Sequence, residues 1–330
     1  MAAYLPALEP LGTPLVGIAR LAAHGAAISN GHNVEYLTLE ARSLLSRCNS
    51  PRVPFQWTIN PYRGCEFGCK YCYARYTHEF MELRNGLDFE RKIYVKQNAR
   101  WLLHRDLKRV KPGEQIAIGA ATDPYQPAER RHLVTQSILE EIAEHRGLDL
   151  GIVTKSDLIV RDLDLLKRIS EQNDLSLHIT ITTLNTQLAR ILEPRAPRPD
   201  LRLDALRKLR KAGLNAGVSC APVLPGITDE ASDLEALVRA AAEAGADFIH
   251  ANSLFLKPCS AAVFMPFLEK EFPHLVKTYK ERYEARAFVS AGYQKRVSQL
   301  MSKFRAEYGI VGRRTQLRAP VAVEEQMKLF

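Results

Sequence analysis

The chain of 330 residues has no apolar run long enough to cross a bilayer: stretches such as Ala261 to Leu268 fall far short of the ~20 residues needed. Its opening residues lack a basic stretch followed by an apolar core, so no export signal is expected. Cysteine is scarce, six in all with three of them clustered and none between Cys72 and Cys220, and that distribution suits a reducing setting better than a disulfide framework. A reducing, cytoplasmic setting without a membrane is the expectation. At 46% apolar and 25% charged residues the composition is ordinary for a globular protein, and the length is near the upper size of a single domain.

Acidic charge is also in deficit, and the formal excess of +9 is uneven. Residues 265–330 hold 13 Lys/Arg against 7 Asp/Glu, a net +6. A second basic run comprises Arg195, Arg198, Arg202, Arg207, Lys208, Arg210 and Lys211, broken only by Asp200 and Asp204. A polyanionic partner, with nucleic acid the leading candidate, is the functional reading; a solvated helix face is the plain one.

From about residue 57 to 255, short β-type runs alternate with helical patterns. Strands are predicted at Ile116–Ala121, Leu150–Thr154, Leu175–Thr183, Asn215–Pro222 and Asp247–Asn252. Helices are predicted from about Pro127 to His145, over Leu158–Ile169, from an Asp200 cap to Gly213, and from Thr228 or Asp229 to Gly245. Such alternation implies parallel βα units curled into an open or closed barrel, with chemistry on the loops after the strands. Residues 1–54 read as an N-terminal extension with a short helix near Thr38 to Ser46. Residues 55–258 read as the barrel, 259–311 as a C-terminal helical region, and 312–330 as a flexible tail.

The densest signal is Asn60-Pro-Tyr-Arg-Gly-Cys-Glu-Phe-Gly-Cys-Lys-Tyr-Cys-Tyr73, in which Cys65, Cys69 and Cys72 are spaced C-x3-C-x2-C. A loop this short can turn three thiolates onto one metal centre, and a cubane that wants four ligands is left with one open iron. An open position marks catalysis rather than stapling. A structural zinc ion with His78 as fourth ligand is the alternative, although zinc knuckles usually carry C-x2-C pairs.

This motif, with its following aromatic residue, resembles the signature of radical S-adenosylmethionine (SAM) enzymes. The resemblance implies an α/β fold of the partial (βα)6 barrel type. It implies a 4Fe–4S cluster on Cys65, Cys69 and Cys72, SAM at the open iron, and a 5′-deoxyadenosyl radical formed with electrons from a flavodoxin or ferredoxin. Within the superfamily, residues 55–255 are similar to the spore photoproduct lyase-like group, often labelled DNA repair photolyases. Lys70-Tyr71-Cys72-Tyr73 matches the tyrosines that flank the third cysteine there and relay hydrogen. Val153-Thr-Lys155 resembles a SAM-contacting lysine, and Thr180 stands in place of a SAM-contacting serine. Leu192-Glu-Pro-Arg-Ala196, Lys211-Ala-Gly213 and Ala221-Pro222 recur in the same order. The group's hydrogen-donating cysteine after the second strand is missing, since that stretch reads Gly119-Ala-Ala-Thr-Asp-Pro-Tyr125. A Gly-Gly-Glu motif for the SAM amino group is missing too, which passes that work to Gly119, Thr122 and Asp123.

Cys220 ends a strand, so its thiol is a candidate hydrogen donor; a small core residue is the plain reading. Cys259 and Cys48 have less to recommend them. The expected activity is a radical SAM lyase acting on nucleic acid, plausibly at a DNA photolesion. The alternatives are a radical SAM modifier of RNA, protein or a small molecule, and a non-catalytic zinc-containing module that binds nucleic acid. Finally, Gln326-Met-Lys-Leu-Phe330 resembles the peptide by which bacterial repair proteins dock on the DNA sliding clamp, with Met327, Leu329 and Phe330 as apolar anchors. Deleting residues 326–330 is expected to leave cluster and SAM chemistry intact and to abolish clamp binding; equal clamp affinity with and without them dismisses the reading.

Overall fold

A computed structural model describes residues 15–310 apart from His32 and Ala285. The tail at 312–330 and its Gln326–Phe330 peptide lie outside the described residues. Eleven strands are described: β1 (Ala27–Gly31), β2 (Val34–Leu39), β3 (Leu45–Arg47), β4 (Trp57–Ile59), β5 (Tyr62–Arg63), β6 (Lys92–Lys96), β7 (Gln115–Ile118), β8 (Asp149–Thr154), β9 (Asp174–Thr180), β10 (Ala216–Val223) and β11 (Ile249–Ser253).

Seven form one sheet in the order β11-β10-β9-β8-β7-β4-β3. The six from β4 to β11 are parallel, and β3 closes the edge antiparallel to β4. This is the partial six-stranded βα barrel, an α/β fold. Side chains alternate across such strands. Ile116 and Ile118, Leu150 and Ile152, Leu177 and Ile179, and Ala216 and Val218 share one apolar core with Leu203, Leu206 and Leu209 of the helix Pro199–Lys211. The opposite parity, with Ser176, Thr180 and Ser219, faces the barrel interior.

Helix boundaries differ from expectation where side chains intervene. The helix predicted over Pro127–His145 is two, Glu129–His132 and Val134–Ile142, with Leu133 left-handed between them at φ 52°. Glu129 causes the break, because its carboxylate accepts the N–H groups of Thr135 and Gln136 at 2.8 and 3.1 Å. Asp200 is not the cap of its helix: Arg198 precedes the first turn and pairs with Asp200 at 2.7 Å. Strand β7 stops at Ile118 because Gly119 turns away with φ +89°, passing so close to Val153 O and Pro124 that a Cβ would sit 2.6 Å from each.

The N-terminal region departs most. No helix covers Thr38 to Ser46; that stretch ends β2 and forms β3. The β2 strand pairs in parallel with β6, in a second sheet ordered β1-β2-β6-β5. Buried Asp106, from the helix Ala99–Leu107, accepts the Leu44 and Leu45 N–H groups at 2.7 and 3.2 Å and the Ser43 hydroxyl at 2.6 Å. Those donors are thereby withdrawn from any helix.

The basic run also reads differently. Arg202 is 1% exposed, and Arg198, Arg202, Lys208 and Arg210 each hold an acidic partner. Four of the seven cations of that run are therefore members of ion pairs.

Burial alone would raise Asp106, yet the bonds from Ser43, Arg105, Leu44 and Leu45 outweigh it and hold its carboxyl below the usual range. Asp106→Asn is expected to cost about 2–3 kcal/mol in urea denaturation. Because the folded-state pKa is depressed, this stabilisation is full above the ordinary aspartate value of 3.8 and fades as pH falls through the lower folded value. A variant whose midpoint tracks the wild type from pH 7 to pH 3 contradicts the assignment.

Candidate active site

The cysteine loop leaves the barrel after β4 and is fastened at several points. Gly64, at φ +86°, passes within what would be 2.7 Å of Lys92 O for a Cβ, so only glycine fits there. Its carbonyl accepts the Thr122 hydroxyl at 2.6 Å and Gln126 Nε2 at 3.2 Å. Gln126 Oε1 accepts the Glu66 N–H, and Glu66 in turn accepts Tyr36 OH and the Ala128 N–H. On the other side Arg75, 2% exposed, donates to Cys69 O at 3.0 Å and pairs with Glu90 at 2.7 Å. Phe67, Cys69 and Tyr71 lie in an apolar cluster with Leu192, Leu224, Leu256, Phe264 and Tyr279. The helix Pro258–Glu271 thus covers the loop, and Ser260 donates to Cys72 O at 3.0 Å.

Burial pushes all three thiols up, Cys69 to about 12; for Cys65 the neighbouring Asp123 adds to the effect. Three such sulfurs become thiolates only against strong positive charge, which an iron–sulfur cluster supplies. Among the described residues, neither the three thiols nor any set joining them to His78 brings its ligand atoms within 4.8 Å of one another. A single zinc ion with Zn–S bonds of ~2.3 Å requires that convergence, whereas a cubane spreads its ligands over several metals. His78 instead donates from Nε2 to Lys92 O at 3.1 Å, edge-on to Phe89 and Tyr94, and burial lowers its pKa to about 4. The donor set fits the cluster.

Behind the loop is a buried charge network that sequence reasoning missed. Tyr71 donates to Glu193, which also accepts the Thr182 hydroxyl at 3.1 Å and pairs with Arg202. Arg202 reaches on to Thr180 O at 3.0 Å and Pro197 O at 2.7 Å. Burial works against the Glu193 carboxylate, but Arg202 and Lys155 overcome it and lower its pKa. Lys155 has its ammonium 5.8 Å from the Tyr71 ring centre. Burial would lower it, yet Cys69 and Glu193 outweigh that and keep it charged.

The remaining candidates divide. Lys155 and Thr180 lie on the interior face, close to the loop. Asp123 is fully engaged: it accepts the Thr154 hydroxyl at 2.6 Å, the Lys155 N–H at 2.7 Å and the Tyr125 N–H at 2.9 Å. Together with Thr122 and Gly119 it braces the loop against β8. Tyr73 is 40% exposed and donates to Ala120 O, so it faces the mouth while Tyr71 is enclosed. Cys220 shares its parity with Ala216 and Val218 and is wholly buried in the main core, pointing to the helix layer. Cys48 instead lies close enough to Tyr73 and Tyr76 to influence both hydroxyls.

A family model described as the radical SAM superfamily matches residues 59–241. An uncharacterized protein of Mycobacterium tuberculosis is 34% identical over 265 residues, 80% of this chain and 78% of its own. Among solved structures, spore photoproduct lyase complexed with dinucleoside spore photoproduct superposes with a TM-score of 0.63 at 18% identity, over 83% of this chain and 79% of that one. A variant of it with bound AdoMet and the same dinucleoside superposes at 0.62, with the same identity and coverage. At that identity the likeness is one of fold.

Glu193→Gln leaves Arg202 as an uncompensated buried cation and is expected to cost about 3–5 kcal/mol, read by anaerobic urea denaturation. A loss below 1 kcal/mol would falsify the view that this ion pair anchors the site.

Proposed function

Because the chain belongs to the radical SAM superfamily, we propose that this radical SAM enzyme, with its 4Fe–4S cluster and SAM, acts on a nucleic-acid substrate and repairs a photolesion in DNA by lyase-type chemistry. The observation that carries this reading is an aromatic row beside the cluster loop. Tyr73, next to Cys72, has its ring centre 6.5 Å from Tyr76 and 6.2 Å from Phe255. The row continues to Phe80, perpendicular to Tyr76 at 5.7 Å, and to Phe288, stacked on Phe255 at 4.4 Å. Lys257 lies 3.8 Å over Tyr76 and Arg52 lies 4.0 Å over Phe288. Phe80 is 59% exposed. Flat rings interleaved with cations suit unstacked bases and their phosphates, and base–aromatic stacking is worth ~1–3 kcal/mol per base. The aromatic residues of the C-terminal helices do not take this part: Tyr279 and Phe304 are buried, and Tyr293 donates to Asp229.

When bound, the cluster and SAM supply a carbon radical that abstracts hydrogen from the substrate. The chain's own residues set the conditions for that chemistry. Cys65, Cys69 and Cys72 hold the cluster. Lys155, charged and facing the interior, offers a partner to the SAM carboxylate, with Thr180 beside it. The apolar cluster from Phe67 to Tyr279 excludes water on the covered side, which a reactive radical requires. Tyr73, at the exposed face, would return a hydrogen atom to a stacked substrate radical, its O–H bond breaking as the substrate C–H bond forms. The phenoxyl left behind is restored by an electron from the reductant and a proton, while Tyr71 holds the loop through Glu193.

Anaerobic incubation with SAM and reductant, with and without ultraviolet-irradiated DNA, tests the reading. Release of 5′-deoxyadenosine and loss of photoproduct are both expected. Cys69→Ala is expected to lose iron and both activities. Tyr73→Phe is expected to keep iron and SAM cleavage but lose photoproduct turnover. Deoxyadenosine release with the photoproduct untouched dismisses the DNA substrate while keeping the radical chemistry.

A further inference from the structure

A pocket of about 180 Å³ lies where the small sheet meets the open edge of the barrel. Its polar lining is basic: Arg42, Arg63 and Lys96 with the hydroxyls of Ser43 and Ser46, and no acidic side chain. Lys96, the last residue of β6, is 8% exposed and has no hydrogen-bond or ion-pair partner among the described residues. Arg63 has its Nε buried without a partner, and its Nη1 reaches only Thr77 O at 3.4 Å. The carboxylate whose field acts on Lys96, Asp106, is already committed to Ser43, Leu44, Leu45 and Arg105.

Three cations thus line one pocket, while the Asp106 carboxylate that acts on Lys96 is engaged elsewhere. Burying an unpaired charge is costly, and a second like charge adds to the cost. The strain is visible in Lys96, whose pKa falls to about 7 through burial and then Arg63, with Asp106 offsetting only part. At about 180 Å³ the pocket has room for a small oxyanion. A three-proton ammonium, a guanidinium edge and the Ser46 hydroxyl are the donor types an oxyanion takes up, and the three or four oxygens of a tetrahedral anion can engage all of them.

We propose that this pocket binds a phosphate group, with Lys96 and Arg63 as charge partners and Ser46 as hydroxyl donor. The group is either a free phosphate or a phosphodiester of a nucleic-acid strand. The proposal stands apart from the radical reaction, because its test reads melting rather than turnover.

Cluster-loaded protein is melted anaerobically in chloride, in inorganic phosphate at equal ionic strength, and in chloride with a short single-stranded oligonucleotide. Wild-type protein is expected to melt at least a few degrees higher with one of the two phosphate sources. Lys96→Met is expected to melt higher than wild type in chloride, since the unpaired cation is gone, and to lose the response. Ser46→Asp places an anion on the pocket wall and is expected to lose the response as well; it serves if Lys96→Met does not fold. A response to the oligonucleotide that depends on Lys96 identifies a phosphodiester, and a response to inorganic phosphate alone identifies the free group. Unchanged wild-type melting with both sources, or a shift that survives both substitutions, overturns the proposal.

Discussion

Glu193 carries the burden of holding the candidate site together. Its two oxygens serve Tyr71, Thr182 and Arg202, and none of the three is appreciably exposed. Tyr71 lies between the second and third cysteines, and Arg202 grips the carbonyl at the end of β9. One buried carboxylate therefore joins the cysteine loop to the barrel wall. Such a pair adds little net stability over apolar packing, because desolvation consumes most of the attraction. What it provides is register: the loop has a single position in which the charge is compensated. Lys155 contributes to the same field, so the interior stays positive where an anionic cofactor group would lie.

The surroundings divide the mouth into a dry side and an open side. Phe67, Tyr71, Leu224, Phe264 and Tyr279 close over the loop beneath the C-terminal helices. Tyr73, Tyr76 and Phe80 lead away from it toward solvent. Consecutive tyrosines around one cysteine thus end in opposite environments: one is a buried anchor and the other an exposed ring.

The barrel was legible because its signals are local. Apolar runs of strand length, followed by helical patterns that in three cases end near a glycine, marked the parallel units, and three cysteines within eight residues marked the candidate cluster loop. What escaped was non-local or depended on facing. Tyr71 and Glu193 are 122 positions apart, and Asp106 meets Leu44 across 62. No periodicity pairs them. Arg202 looked like one cation of a basic stripe until its burial showed it to be half of an ion pair. Cys220 could have been placed from its parity with Ala216 and Val218, since alternation along a strand is visible in the sequence. Cys48 could not: the fold alone carries it to the tyrosines.

The strand order has a consequence for synthesis. From β7 onward, every strand of the barrel wall emerges from the ribosome to find its neighbour already made, so the wall can grow in step with translation. The small sheet cannot: β2 has its parallel partner in β6, which ends at residue 96. Until then the nascent chain offers β2 as a bare edge, open to foreign strands, and its protection comes only when the segment after the cysteine loop arrives.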